Sequence, residues 1–315
     1  MKRNAYVSVL LVLMLSLAAC GSGGGDKSSA DQPANTTKTD TTSNGKSSDN
    51  NDTKLVEDPK EASEESAKAE EKDGPANPVD PMDLSQYYSS DKPVEKENDK
   101  SHILWKQGGV TLKASLGKPT EQERPETSQV VTSLTVNQKE RQIEVKLDPR
   151  PYNVSKAALS ADESYLALSA EYHETSTLVI VDLQDGTYST LNQQLEKNGK
   201  DRLEILPTFS WSPQGHVLAF SYGLISELSW GLYDADQAKL TFLPPAEGVS
   251  SLISTSYVMW SKDSQSVSYV GENPSDQMKL YRYGIADAST IKVKDLTREE
   301  FDKFQKFSSY ILNTP

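Results

Sequence analysis

One cysteine, three histidines and no aromatic residue between Tyr6 and Tyr87 are the shortages of this 315-residue chain. A single cysteine excludes an internal disulfide framework and any multi-cysteine zinc site. His102, His173 and His216 lie far apart, and none stands at zinc-ligand spacing. Each reads as a surface histidine, in a strand start, a loop and a turn. No Gly-x-Ser-x-Gly elbow is present, which removes one large class of hydrolase nucleophile. Positive charge is short as well: 33 Lys and Arg face 46 Asp and Glu, for a net charge of -13. An acidic chain repels nucleic acid and anionic lipid, so no DNA or RNA partner is expected. No catalytic residue, cofactor or metal ligand stands out.

The scarcity of apolar residues is local. Between Gly21 and Asp80 the only Leu, Ile, Val or Phe residues are Leu55, Val56 and Val79. Such a segment cannot bury enough surface to offset the entropy of ordering it. Residues 21–100 carry 19 acids against 10 lysines, most of the net charge of the chain. Residues 57–73 are rich in Ala, Glu and Lys but have no apolar stripe, so a helix there has nothing to pack against. The composition predicts a disordered acidic, Ser- and Thr-rich tether over 20–95 and one folded unit over 96–315. Pro81 to Tyr88 reads first as the fringe of that unit, with a short docking motif as the alternative.

The amino terminus has its own pattern. Lys2 and Arg3 precede an apolar run from Ala5 to Leu17, followed by Leu17, Ala18, Ala19 and Cys20. The run is short for spanning a bilayer core of about 30 Å. These residues resemble the lipobox signal peptide of bacterial lipoproteins. That resemblance implies a signal peptide over 1–19, diacylglycerol on the Cys20 thiol, and anchoring on the extracytoplasmic face of the cell membrane.

The folded unit repeats. Residues 158–168 (ALSADESYLAL), 210–220 (SWSPQGHVLAF) and 259–269 (MWSKDSQSVSY) align on Ser160, Ser212 and Ser261, spaced 52 and 49 residues apart. About 22 residues after each serine comes a second strand-and-turn pattern, near Asp182, Asp234 and Gly284. Each unit therefore offers four short strands at a period of about 50 residues, the signature of a propeller blade. Trp211 and Trp260 hold one position of the repeat and are expected between blades, with Leu159 in their place in the first copy. Val217 to Phe220 is apolar throughout, as a strand buried on both faces should be. Two hairpin-like pieces upstream, 103–114 turning at Gly108 and Gly109, and 129–147 turning at 137–140, have the content of a diverged fourth blade. The repeat resembles the TolB-like propeller pattern, most closely in its middle copy, where Gln214 replaces an Asp. The fold class expected is all-β: propeller-like repeats, three recognisable blades plus the fourth, as a closed ring, an open arc or a sandwich. Thr297 to Glu300 has the form of a capping box ahead of Phe301 and Phe304, and 308–312 could add a final edge strand.

Two softer leads remain. Asp182, Asp185, Asp234 and Asp236 could suggest cation sites, but turn formation explains them better. Tyr172, Tyr222, Trp230 and Tyr233 could stack on a sugar or peptide, but filling the gaps between blades explains them better. Propellers scaffold unrelated tasks, so the resemblance does not select an activity. The reading is a membrane-anchored lipoprotein whose propeller is a non-catalytic binding or scaffolding module. Its expected partners are the membrane, through lipid on Cys20, and a protein or cell-wall component. The alternative is an envelope hydrolase or lyase built on the same scaffold.

Overall fold

A computed structural model describes residues 80–315 except 122, 124–128, 201–202, 205–207, 308–309 and 313–315. Residues 1–19, read as a signal peptide, Cys20 and most of the expected tether lie outside the described residues. Among these residues no helix is long and apolar enough to cross a membrane.

Eighteen strands form four antiparallel sheets. The first sheet contains β1 (Val94–Asn98), β2 (His102–Gln107), β3 (Val110–Gly117), β4 (Val130–Gln138) and β5 (Arg141–Glu144). The second contains β6 (Asn153–Leu159), β7 (Tyr165–Glu171), β8 (Ser176–Asp182) and β9 (Thr187–Thr190). The third runs through β10 (Phe209–Trp211), β11 (Val217–Leu224), β12 (Glu227–Asp234) and β13 (Lys239–Phe242). The fourth runs through β14 (Thr255–Trp260), β15 (Ser266–Glu272), β16 (Met278–Gly284) and β17 (Ser289–Asp295). Apart from a last short strand, Tyr310–Ile311, which joins the second sheet beside β6, each is a meander in chain order, and the fold is a four-bladed propeller in which the diverged upstream pieces form a full blade.

The repeat is visible in the turns. The shared serine anchors the turn between the first two strands of its blade. Ser160 Oγ accepts from the amides of Ser164 and Tyr165 at 3.0 and 2.9 Å and donates to Asp162. Ser261 Oγ accepts from the Ser266 amide at 2.9 Å and donates to Asp263 at 2.6 Å. Where Gln214 replaces the aspartate, Ser212 Oγ donates to the Gln214 carbonyl instead, at 2.6 Å. Three residues after each serine the chain turns left-handed, at Glu163, Gly215 and Ser264 (φ 65, 72 and 60°). Only the middle copy uses glycine there, which is why its motif is the most legible.

The tryptophans join blades as well as fill space. Trp211 and Trp260 are 3 % and 2 % exposed. The Trp211 indole N–H donates to the Ala158 carbonyl, and that of Trp260 to the Ser210 carbonyl, both at 3.0 Å. Each indole thus reaches back to the innermost strand of the preceding blade, at equivalent positions of the repeat. Leu159, in the same place, has no N–H to offer. There the junction rests on Glu163, which accepts from the Gly109 amide at 3.0 Å and pairs with Lys92 at 2.9 Å.

Both ends of the folded unit bind across the blades. The segment before β1 falls within the 20–95 tether by composition, with Pro81 to Tyr88 read as the fringe of the folded unit, and it is part of the fold from residue 80 onward. Tyr87 is buried, bridges Ser261 and meets Phe304 and Phe307 edge-on. The Tyr88 amide donates to the Trp260 carbonyl at 2.8 Å, and Lys92 Nζ to the Ala161 carbonyl at 2.8 Å. This stretch therefore links the fourth blade to the second. At the other end, α2 (Arg298–Lys303) starts with the expected capping box of Thr297 and Glu300. A 3-10 turn and β18 (Tyr310–Ile311) follow, and β18 pairs with β6. One helix, α1 (Leu191–Lys197), has no counterpart in the sequence reading; it buries Leu191 and Leu195 beside β8.

Candidate binding site at the propeller axis

Strands of all four blades meet around one depression, where the two terminal segments also arrive. Gln107 comes from the first blade, Leu159 from the second, Trp211 from the third and Val258 from the fourth. Tyr88 to Ser90 and Lys306 to Phe307 complete the rim. The depression encloses about 630 Å³, part of it open to solvent. It is lined by apolar side chains and neutral hydroxyls and amides, with Lys306 as its one charged side chain. Lys306 Nζ sits 4.9 Å above the Phe307 ring. Gln107 is 4 % exposed, and its amide donates to the Lys92 carbonyl at 3.2 Å and weakly to Ser90 Oγ. Surfaces of this composition suit an uncharged segment that brings both apolar side chains and peptide groups.

Beside the depression, the junction of the second and third blades holds a cluster that sequence reasoning missed. His216 is not a plain surface histidine. Its Nε2 lies 2.8 Å from Asp162 Oδ2, and its Nδ1 lies 2.8 and 2.9 Å from the two oxygens of Asp236. Burial would lower its pKa, but the two carboxylates outweigh burial and hold it above the usual histidine value. Asp162 is held well below the usual carboxylate range. Burial opposes that shift, and hydrogen bonds from Ser164, His216 and Ser160 drive it. Tyr165 tilts over the imidazole at 4.9 Å, stacks on Trp211 at 5.8 Å and donates to Asp236 at 3.2 Å. The partners are 54 and 20 residues from His216 in sequence, and no local pattern links them.

This cluster does not make a nucleophile and base. Both nitrogens of His216 face carboxylates, and the hydroxyls of Ser160 and Ser164 are directed to Asp162 at 2.9 and 2.5 Å. A serine activated for attack would instead give its proton to the imidazole. His102 pairs with Asp99 at 3.1 Å, and His173 lies near Glu174, both well exposed. Asp182 accepts from the amides of Gln184 and Asp185, and Asp234 from that of Gln237, the work of turn formers. Among the described residues no group of three or more His, Cys, Asp or Glu is placed to hold a metal. The aromatics fill gaps between strands and blades. Tyr222, Trp230 and Tyr233 are 7, 2 and 3 % exposed, and the stretch they flank is the hairpin of β11 and β12 rather than a loop.

No family model matches the sequence, and no curated protein matches it. Among solved structures, the chain is similar to TolB from Acinetobacter baumannii, at 9 % identity and a TM-score of 0.38, over 62 % of this chain and 49 % of that one. It therefore spans about half the length of that relative. It is also similar to a putative TolB from Agrobacterium tumefaciens, at 9 % identity and a TM-score of 0.34, over 69 % of this chain and 82 % of that one. A prolyl endopeptidase matches at 12 % identity and a TM-score of 0.38, over 69 % of this chain and 31 % of that one. Function must be argued from this chain's own surfaces.

Proposed function

We propose that this protein is a lipoprotein, anchored through lipid on Cys20 at the extracytoplasmic face of the cell membrane. Its propeller acts as a non-catalytic module that binds a segment of a protein partner. The observation that carries the reading is convergence: every blade and both terminal segments contribute to one depression lined, apart from Lys306, by neutral and apolar groups. A segment entering there exchanges water for apolar contacts and meets amide and hydroxyl partners around its rim. The amino-terminal segment crosses that same rim through Tyr88 to Ser90.

Site-specific photo-crosslinking in intact cells tests this. A photoreactive residue at Ser89, which is exposed on the rim, should capture a defined protein. The same residue at Ser275, in the turn between β15 and β16, should not. Equal capture from both positions would refute the axial site. Release of new products on incubating the full chain with wall fragments would refute the non-catalytic role in favour of a hydrolase or lyase.

A further inference from the structure

The cluster at the junction of the second and third blades touches the wall of the axial depression. Ala158 and Trp211 line that depression, one from each blade, and the indole N–H joins them across the junction at 3.0 Å. Tyr165 stacks on Trp211 at 5.8 Å, tilts over His216 at 4.9 Å and donates its hydroxyl to Asp236 at 3.2 Å. Asp162 and Tyr165 belong to the second blade. His216 and Asp236 stand in the β10–β11 and β12–β13 turns of the third.

The groups that bear on His216 come from both blades. Asp162 and Asp236 face its two ring nitrogens, each at 2.8 Å. Tyr165 packs on the ring, and Asp182 and Tyr233 act in turn on Tyr165. Burial, helped by Asp182 and Asp236, pushes the Tyr165 pKa up to about 12, so its hydroxyl remains a donor throughout.

An imidazolium has two N–H donors, one for each carboxylate. A neutral imidazole has one, and its bare nitrogen then lies against a carboxylate oxygen, lone pair against lone pair. One carboxylate has to withdraw, and the two are not equally held. Asp162 also accepts from Ser160 Oγ, the Ser164 amide and Ser164 Oγ, at 2.9, 3.1 and 2.5 Å. Among the described residues, the Asp236 carboxylate accepts only from His216 and Tyr165.

We propose that deprotonation of His216 releases Asp236, unties the Tyr165 hydroxyl and loosens the Trp211 wall, so that the axial depression holds its partner better in mildly acidic than in alkaline surroundings. This gate rests on the axial binding site proposed above. The two carboxylates hold His216 charged beyond its usual range, which places the change on the alkaline side of about pH 6.5. Both carboxylates are more than half exposed, so the effect on binding is modest, about fivefold.

The chain has four tryptophans, so 5-fluorotryptophan labelling of the full chain gives four fluorine resonances, assignable by single Trp→Phe variants. The Trp211 resonance should follow one titration curve with a midpoint above about pH 6.5, while that of Trp105, in the first blade's core, stays fixed. His216→Gln should abolish the titration. Tyr165→Phe keeps both rings stacked and should largely remove it. A Trp211 resonance that does not titrate, or titrates unchanged in His216→Gln, overturns the switch. A full titration in Tyr165→Phe overturns the route through Asp236. In cells, a photoreactive residue at Ser89 should capture its partner about fivefold more at an external pH of about 6 than at about 8.5, and equally at both in His216→Gln. Equal capture at both pH values by the unaltered His216 chain overturns the gate and leaves the axial site standing. No capture at either pH refutes the axial site and the gate with it.

Discussion

Replacing Trp260 by Phe separates packing from the bond that joins two blades. The exchange keeps an aromatic ring in a site only 2 % exposed and deletes the N–H that reaches the Ser210 carbonyl at 3.0 Å. Loss of ring volume is one cost, shared with any buried Trp→Phe exchange. The second cost is the orphaned carbonyl at the junction, about 1–3 kcal/mol. Trp105→Phe is the internal control. Trp105 is fully buried in the first blade, and its N–H has no partner to lose. The two variants should therefore differ by about 1–3 kcal/mol. For a folded unit of this size that corresponds to about 2–12 °C in Tm. Differential scanning calorimetry with urea titration measures both quantities. Equal losses from Trp260→Phe and Trp105→Phe would refute the claim that the repeated indole ties each blade to the one before it. Trp211→Phe, with the same bond to Ala158, should follow Trp260→Phe.

The clasp at the second blade junction should be sensitive to pH. His216 has a raised pKa because of Asp162 and Asp236, so its contribution is fully present below about pH 6.5 and is lost as pH rises through its folded value. Asp162 has a lowered pKa, so its share is present above about pH 3.9 and fades as pH falls below that. The carboxylates are 51 % and 58 % exposed, so the clasp is worth only about 1 kcal/mol. His216→Gln should flatten the fall in Tm as pH rises above about 6.5, and an unchanged slope would sink the assignment. At the turns, Gly215 is left-handed and a Cβ there would meet nothing within 4 Å, so Gly215→Ala should cost the purely conformational 1–2 kcal/mol, give or take about 0.5. Ala288, at φ 51°, already bears that strain, and Ala288→Gly should leave stability level or raise it. Matching Tm losses from both would show that φ is not the cause. Finally, Cys20→Ser should abolish labelling by a fatty-acid probe; a variant that is still labelled would refute the lipoprotein reading.

Much of the architecture was legible because it is local and recurs. Ser160, Ser212 and Ser261 each build the same turn from their own neighbours, so the blade period can be counted from sequence. Trp211 and Trp260 could be assigned to blade junctions because a large apolar side chain at a repeated position has only another blade to bury it. The capping box of Thr297 and Glu300 was equally plain, since its bonds span three residues. The first blade was readable from its hairpins although it lacks the motif.

Other features became determinate only on folding. Pro81 to Tyr88 reads as the fringe of the folded unit, yet Tyr87 is buried deep in it because Ser261, Phe304 and Phe307 are brought around it from the far end of the chain. The helix α1 has two buried leucines and no side-chain cap, too little pattern to announce itself without β8 to pack on. The His216 clasp joins residues 54 positions apart. Strand alternation, turn chemistry and caps act over a few residues and can be read in order. Junctions and cavities depend on which distant groups meet once the blades have packed, and only the tertiary structure decides that.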